Sequence, residues 1–452
     1  MEAFALLGFV LLFATLGAMA GMGTGLVPGV HVNNVALALL AAEPAIAGAL
    51  ADRVGGADAI ALLTAFLVAA AVAHGFAGLL PSVFLGVPDA KTALSVLPGH
   101  RLLQRGRGAE AVVLAARGAL LAVPLSLLLL LPFRLLLGSP VDAYARLRTL
   151  VPFLLLLLVV LLVATEGGRA HRRQAVRSRA WAVVLFVLAG VLGGVVLRPG
   201  FLSDTWRPLP LPTESLVLFP LFTGLFGLPT LILGARRTAR LPPQDLGPPD
   251  PLPDWRQTRA LASGTLAGAS VSWFPGLGGA SATVVAQLLA RGEPAGDDVD
   301  GDREFLFAAG AASTATTVFT FATLFVVLRA RSGVAAAIAT LADPVPVWVR
   351  IPFPPPLFAA LLLAVVLAAA IAYMTTVRLA RPFAILAGRV PYPRIVRSVL
   401  LALVAAVFLV VGPVGLLVLG TATALGLLPP LVGVRRVHLM GCLVLPLLVG
   451  SL

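Results

Sequence analysis

Trp273-Phe274-Pro275-Gly276-Leu277-Gly278-Gly279-Ala280 lies between two strongly apolar segments, and its reading decides the fold. It cannot be continuous helix, because Pro275 lacks a backbone donor and Gly276, Gly278 and Gly279 follow it. A near-copy stands in the first half: Leu26-Val27-Pro28-Gly29-Val30-His31-Val32-Asn33-Asn34. A helix broken at corresponding places in two halves is the sequence pointer to a transporter binding site.

The surrounding composition places these breaks in a membrane protein. The chain has 452 residues, 59% hydrophobic and only 12% charged; a soluble chain is roughly 45–50% apolar and about 25% charged. Many runs reach or approach the ~20 apolar residues that cross ~30 Å of hydrocarbon. The expected fold is therefore an all-α integral membrane protein of roughly ten to twelve transmembrane segments, in two inverted-topology repeats with discontinuous helices at the Pro-Gly loops. The net charge of +13 does not point to nucleic acid. The arginines sit in short loops between apolar runs, where they set orientation, and no aromatic residues interleave with them. The one cysteine, Cys442, excludes an intrachain disulfide and a cysteine-rich metal site. Residues 3–20 read as a first membrane helix that stays, since Met1-Glu2-Ala3 carries no positive charge.

Along the chain, a short apolar piece at 32–42 is expected to end near Glu43-Pro44, and an apolar segment at 59–73 follows. A second broken region is expected from His74 through Pro81 to Thr92. Four spans follow at about 109–131, 149–165, 180–197 and 214–234. Residues 236–258 are rich in arginine and proline and read as an extended linker between the two repeats. The second repeat begins at 259, and an acidic loop is expected from Glu293 to Glu304. The hydroxyl-rich stretch 305–328 is interrupted at Arg329 to Gly333, and spans are expected at 355–377, 396–411, 413–430 and 437–452. The units are thus 1–235, 236–258 and 259–452.

The two Pro-Gly pairs are offset by 275 − 28 = 247 positions, and Gly21 then meets Gly268. Thr223 to Pro229 resembles Met440 to Pro446 at an offset of 217. Arg169, Arg172, Arg173, Arg177 and Arg179 put the loop 166–179 in the cytoplasm. Alternation then places the linker 236–258 inside and the N-terminus outside, with the second half running opposite to the first.

Breaking a helix at membrane depth frees backbone groups; half-helix N-termini attract anions and freed carbonyls attract Na+. The candidate substrate-binding residues are therefore Pro28, Gly29, His31, Asn33 and Asn34 in the first loop, and Pro275, Gly276, Gly278 and Ser281 in the second. Asp89, Lys91 and Thr92 add a second polar cluster; the blander reading is a surface loop with Lys91 snorkelling. Its counterpart, Arg329 to Gly333, also carries cations, which suits an anionic substrate. His74 reads as a structural hydrogen-bonder, Ser313 to Thr317 as hydroxyls bonded to their own backbone, Glu110 as a helix-dipole partner, and the acidic loop as solvated. No nucleotide-binding, HExxH or CxxC motif is present, so neither an enzyme nor ATP-driven transport is expected. No cofactor is expected beyond Na+ as a candidate coupling ion, and no metal-binding residues are assigned.

These motifs together resemble a known family. Gly25-x-x-Pro28-Gly29, Leu85-Gly86-x-Pro88-Asp89-x-x-Thr92-Ala93-Leu94, Gly106-Arg107-Gly108-x-Glu110-Ala111, Pro275-Gly276-Leu277-Gly278-Gly279 and Arg435-Arg436-x-His438-x-Met440-Gly441 resemble, in that order, the large permease of the tripartite tricarboxylate transporters, the TctA family. The resemblance spans nearly the whole chain, as a divergent, archaeal-type member. It implies uptake of carboxylates coupled to Na+ or H+, with both Pro-Gly loops lining the substrate site. It also implies a small membrane subunit and an extracytoplasmic solute-binding protein as partners. Where the family carries paired asparagines and a Gly-Ile-Pro-Gly-Ser-type loop, this chain has Ser313-Thr314 and Arg331-Ser332-Gly333.

The function expected is secondary transport of a small organic anion, such as a di- or tricarboxylate, across the cell membrane. The lipid bilayer is its surround, and a homodimer is one expected assembly. The competing class is a membrane enzyme or lipid-handling protein. Such an enzyme needs a constellation of acid, base or metal ligands, and the five histidines are scattered.

Overall fold

The computed structural model describes residues 3–27, 32–54, 56–86, 96–147, 149–164, 166, 172–198, 200–202, 205–206, 217–235, 242–247, 251–274, 278–290, 298–389 and 392–451. The first half contains α1 (Ala3–Leu26), α2 (Val32–Val54), α3 (Gly56–Ala77), α4 (Val96–Gln104), α5 (Gly108–Leu137), α6 (Ala143–Leu147), α7 (Val151–Ala164), α8 (Arg172–Val196), α9 (Leu218–Phe222) and α10 (Leu228–Ala235). The second contains α11 (Asp254–Val271), α12 (Gly279–Leu289), α13 (Val299–Val327), α14 (Gly333–Leu341), α15 (Pro356–Arg389), α16 (Tyr392–Val411), α17 (Pro413–Val432) and α18 (Gly441–Ser451). Among the described residues, seven helical stretches are long and apolar enough to cross a membrane: Leu6–Leu26, Asp58–Leu85, Gly108–Leu137, Arg173–Val196, Val299–Val327, Pro356–Ala387 and Pro413–Val432. Shorter apolar helices at Pro152–Ala164, Leu218–Leu233, Arg397–Val411 and Arg436–Gly450 accompany them. The protein is a multi-pass α-helical membrane protein.

Both Pro-Gly stretches fall between helices, at the joins of α1 to α2 and of α11 to α12. The direction of each neighbour follows from glycine contacts. Gly17, Gly21 and Gly25 of α1 back onto the carbonyls of Phe66, Ala70 and His74 of α3. Both numbers rise together, so α1 and α3 are parallel. The small-residue stripe lets the two backbones approach closely. The helix α2 joins the end of α1 to the start of α3, so it runs back, and α1 with α2 makes a helical hairpin. The second half does the same: Gly264 and Gly268 of α11 meet the carbonyls of Ala308 and Ala312 on α13, and α12 returns. The last turn of α1 lies opposite His74 at Gly25, well before the neighbouring span ends at Leu85.

One face of the molecule gathers the arginines. The end of α3 lies there, with His100 Nδ1 of α4 at 3.4 Å from the Val83 carbonyl oxygen. The starts of α5, α11 and α13 lie there too. Arg101 and Arg105 reach Asp302, Arg303 donates to Glu110 at 2.7 Å, and Arg259 pairs with Glu304 at 2.6 Å. So α1 and α3 run towards this face, whereas α5, α11 and α13 run away from it. The helix α15 ends there, with the Phe383 and Phe84 rings 5.8 Å apart. The packing crosses between halves: α13 lies along α5, and α3 lies along α15.

The remaining helices cross in the same manner. Gly441 at the start of α18 backs onto the Phe186 carbonyl of α8, and Gly193 of α8 onto the Cys442 carbonyl. Likewise Gly224, in the wide turn Thr223–Gly227, backs onto the Leu419 carbonyl of α17, and Gly426 onto the Leu225 carbonyl.

Several expectations are corrected here. The helix α2 runs through Glu43-Pro44 to Val54, twice the expected piece. The expected break at His74 to Pro81 is helix: a single span, Asp58–Leu85, passes Pro81 in a π-helical turn and ends at Gly86, whose φ is +64°. A widened turn accommodates a residue that cannot donate, and glycine is the residue that takes the left-handed conformation without strain. The acidic run is no solvated loop from 299 onwards. It forms the first turns of α13, where Asp302 is 1% exposed and bonded to arginine. Glu110 is more than a helix-dipole partner, since it accepts from both Arg107 and Arg303.

Candidate functional site

The residues flanking the two hairpin tips are drawn together by one segment, Arg331-Ser332-Gly333, which follows the end of α13. On one side, Gly333 packs against the Asn33 side chain in the first turn of α2; a Cβ on Gly333 would lie 2.7 Å from Asn33 Cγ. On the other side, Arg331 Nη2 donates to the Tyr144 hydroxyl at 2.8 Å. The Tyr144 ring in turn meets Trp273 edge-on, with centroids 6.3 Å apart and planes at 81°. Trp273 is the residue that precedes Phe274-Pro275, and the Trp273 and Phe274 rings lie 4.1 Å apart. The segment thus touches the flank of one break directly and reaches the flank of the other through Tyr144.

Local sequence explains how the segment is held. Leu328 ends α13 in the left-handed conformation, φ +54°, and its N–H bonds the Leu324 carbonyl. A leucine there costs about 1–2 kcal/mol relative to the right-handed form, so the surrounding packing must impose it. The Ser332 side chain accepts from the Ala335 N–H at 3.1 Å and caps α14. Between these two anchors stands Arg331. Its guanidinium carbon is 5.7 Å from the Tyr144 ring centroid, and its Nε is buried with no hydrogen-bond partner among the described residues. A buried donor left unmade costs about 1–3 kcal/mol. Other arginines here are satisfied: Arg134, also buried, donates to the carbonyls of Trp348 and Ser139, both at 2.6 Å.

A second polar feature lies against the other side of the second hairpin. Ser281, in the first turn of α12, is 5% exposed and its hydroxyl has no partner. It faces a narrow cleft between α7, α8, α12 and the start of α18, which is apolar apart from Ser281 and His438. His438 Nε2 is 2.9 Å from Glu166 Oε2, and Arg435 Nε donates to the same oxygen at 2.7 Å. Burial alone would raise the Glu166 pKa. The hydrogen bonds from His438 and Arg435 outweigh it and hold the carboxyl below its ordinary value.

Of the residues expected to bind substrate, Asn33, Gly278 and Ser281 are described, and all three lie at the starts of the return helices. Asn34 lies in α2, and its side chain is outside the described residues. Pro28, Gly29, His31, Asp89, Lys91, Thr92, Pro275 and Gly276 also lie outside the described residues. His74 is a hydrogen-bonder, 3.0 Å from the Thr24 hydroxyl, and Thr316 and Thr317 bond their own backbone carbonyls. Sequence reasoning placed a cation at 329–333 but did not single out Arg331. It missed Tyr144 and the Glu166–His438 pair. Nothing in the spacing of 144 to 331 or of 166 to 438 signals contact.

The chain matches the family described as the tripartite tricarboxylate transporter TctA family over residues 11–441. It is 30% identical over 333 residues to the uncharacterized protein MJ1079 of Methanocaldococcus jannaschii, covering 73% of this chain and 72% of that protein. No solved structure matches it. The match over residues 11–441 covers nearly the whole chain, including both Pro-Gly breaks, and on that ground this chain belongs to the TctA family of tricarboxylate transporter permeases.

Proposed function

We propose that this chain is a secondary active permease that moves a small organic anion, of the di- or tricarboxylate class, across the cell membrane with Na+ or H+. The observation that carries this reading is the Arg331 segment touching Asn33 on one hairpin and, through Tyr144, Trp273 on the other. Half-helix N-termini attract anionic substrate groups in transporters, and a guanidinium near the starts of both return helices adds a charge that suits a carboxylate. It is joined to the gradient of a coupling ion because the chain carries no nucleotide-binding motif.

The two halves, 1–235 and 259–452, form an inverted-topology repeat in this reading. Their first and third helices run in opposite senses relative to the arginine-rich face. Their reciprocal glycine contacts also keep a constant interval: 419 − 186 and 426 − 193 are both 233. The arginine-rich face is cytoplasmic by charge bias, with the linker 236–258 inside and the N-terminus outside. Alternating access then rocks the hairpins with α3 and α13 against α8, α17 and α18. A small membrane subunit and an extracytoplasmic binding protein are the partners this family membership suggests, and a homodimer is the assembly to test.

The test is uptake of labelled citrate, succinate and lactate by proteoliposomes containing the protein, with Na+, H+ or no gradient. Gradient-dependent accumulation of at least one carboxylate is expected. Absence of uptake under every gradient would overturn the reading.

A further inference from the structure

We infer that Arg331 is the substrate-binding cation of this permease, receiving one carboxylate group on the side edge of its guanidinium, Nε with Nη2. The inference rests on the transport reading above and adds to it the residue that recognises the anion.

The argument begins with what arginines do elsewhere in the chain. Arg101 pairs with Asp302, Arg259 with Glu304, Arg303 with Glu110 and Arg435 with Glu166. Each carboxylate is half-matched or fully matched to a guanidinium fork. Arg331 is built differently. Among the described residues its side-chain partner is the neutral Tyr144 hydroxyl, taken by Nη2, and the ring of the same residue lies beneath the guanidinium. That contact fixes the plane of the fork and leaves its charge unneutralised among the described residues. The Nε hydrogen, on the edge adjacent to Nη2, is buried and unpartnered.

Nη2 carries a second hydrogen besides the one given to Tyr144, and with the unpartnered Nε–H it makes the two-donor edge that is complementary to a carboxylate, whose two oxygens accept the two parallel N–H bonds. Lysine, a point charge, lacks this complementarity. The location is also right for a substrate contact. Trp273 lies edge-on to Tyr144, and Gly333, two positions after Arg331, touches Asn33. An anion seated on Arg331 therefore bears on both hairpins at once. Movement of either hairpin changes its surroundings, which is what a transporter needs of its ligand. Leu328, three positions upstream, has a positive φ and turns the chain out of α13 into this segment.

The experiment measures two things on purified protein. One is uptake into proteoliposomes. The other is the rise in thermal unfolding temperature in detergent on adding citrate, succinate or lactate, with sulfate and chloride at equal ionic strength as inorganic controls. Wild type, Arg331→Gln and Arg331→Lys are compared. Loss of a charge-assisted two-pronged contact is expected to weaken binding by about tenfold or more. In Arg331→Gln the carboxylate-dependent stabilisation therefore disappears and uptake falls. Arg331→Lys keeps the charge and restores part of both, with a raised KM and a kcat closer to wild type. The unliganded melting temperature of each variant stays within a few degrees of wild type, since Arg331 holds only Tyr144.

Arg331→Gln with unchanged KM and unchanged stabilisation would overturn the assignment while leaving the transport reading standing. Carboxylate stabilisation that depends on Arg331, in a wild-type protein that takes up nothing, would keep the assignment and overturn the transport reading. Stabilisation by sulfate equal to that by the carboxylates would overturn carboxylate recognition at this residue.

Discussion

Glu110 on α5 and Arg303 on α13 are 193 positions apart in the chain and meet at 2.7 Å, both largely out of solvent. Glu110 belongs to one half of the chain and Arg303 to the other. Arg107 and Asp300 extend the pair at its two ends, and both extensions are local, three positions away along their own helices. The pair stands at the crossing of the two helices, near the contact of Ala115 with Gly310. Removing one member of a buried pair strands the other, at a cost of about 3–5 kcal/mol. Glu110→Ala is expected to lower the thermal stability of the detergent-solubilised protein by about that amount. Arg303→Ala should cost a similar amount, and the double variant less than the sum. Full additivity in this cycle would show that the two side chains do not interact.

Glu166 makes stability depend on pH with a definite sign. Its carboxyl titrates below the ordinary carboxylate range because His438 and Arg435 bond the charged form. A depressed carboxyl contributes stability above its unfolded value, about 4.3, and loses it as pH falls through the lower folded value. Wild type should therefore melt progressively earlier as the buffer is taken below pH ~4. Glu166→Gln should be less stable at neutral pH by about 1–3 kcal/mol and should converge on wild type in acid. A constant difference at every pH would rule out this role for Glu166.

Glycine substitutions separate packing from function. A Cβ on Gly310 would lie 1.9 Å from the Ala115 carbonyl oxygen, and one on Gly118 would lie 2.0 Å from that of Phe307. Alanine improves helix propensity by about 1 kcal/mol, but prying apart the backbones of α5 and α13 costs about 1–3 kcal/mol. Gly310→Ala and Gly118→Ala should therefore destabilise. Nothing lies within 4 Å of a Cβ on Gly278, whose φ of −138° suits any residue. Gly278→Ala should leave the melting temperature within a few degrees, so any fall in uptake reports on the site. Destabilisation by Gly278→Ala alone, with Gly310→Ala silent, would reverse this assignment.

Orientation is open to direct labelling. Gly247 lies in the linker segment that packs on the turn before α5, where Gln244 bonds the Gly108 N–H and the Leu103 carbonyl. Val349 lies beside the far ends of α5 and α13, where Trp348 N–H bonds the Phe325 carbonyl. With Cys442 replaced, Gly247→Cys and Val349→Cys should react with a membrane-impermeant maleimide from opposite sides, Gly247→Cys only after the membrane is opened. Labelling of both from one side would refute the topology.

Much of the fold was legible because it is local chemistry. Apolar length marks the spans, and Pro28 and Pro275 interrupt the helices at the joins of α1 to α2 and α11 to α12. Pro81 misled, since the same absent N–H was absorbed by a π-helical turn deep in a packed helix and the span continued to Leu85. Asp302 and Glu304 read as solvated because their arginines lie on α4 and α11, far away in sequence. Ser281 was found as a loop hydroxyl, but its cleft with His438 was not.

By itself, the sequence determined that this protein spans a membrane in helices, that two of its helical pairs are joined at Pro-Gly breaks, and which family it resembles. Each of these follows from residues within a turn or two of one another. Only the tertiary structure decided that α1 with α2, and α11 with α12, fold back as hairpins. Only it brought Arg331 to Tyr144 across 187 positions, and Glu166 to His438 across 272. The physical reason lies in the helices themselves. Spans such as α1, α3 and α7 are apolar on every side, so their pattern does not say which face meets which neighbour. Close packing at Gly21, Gly118, Gly193 and Gly310 supplies that choice.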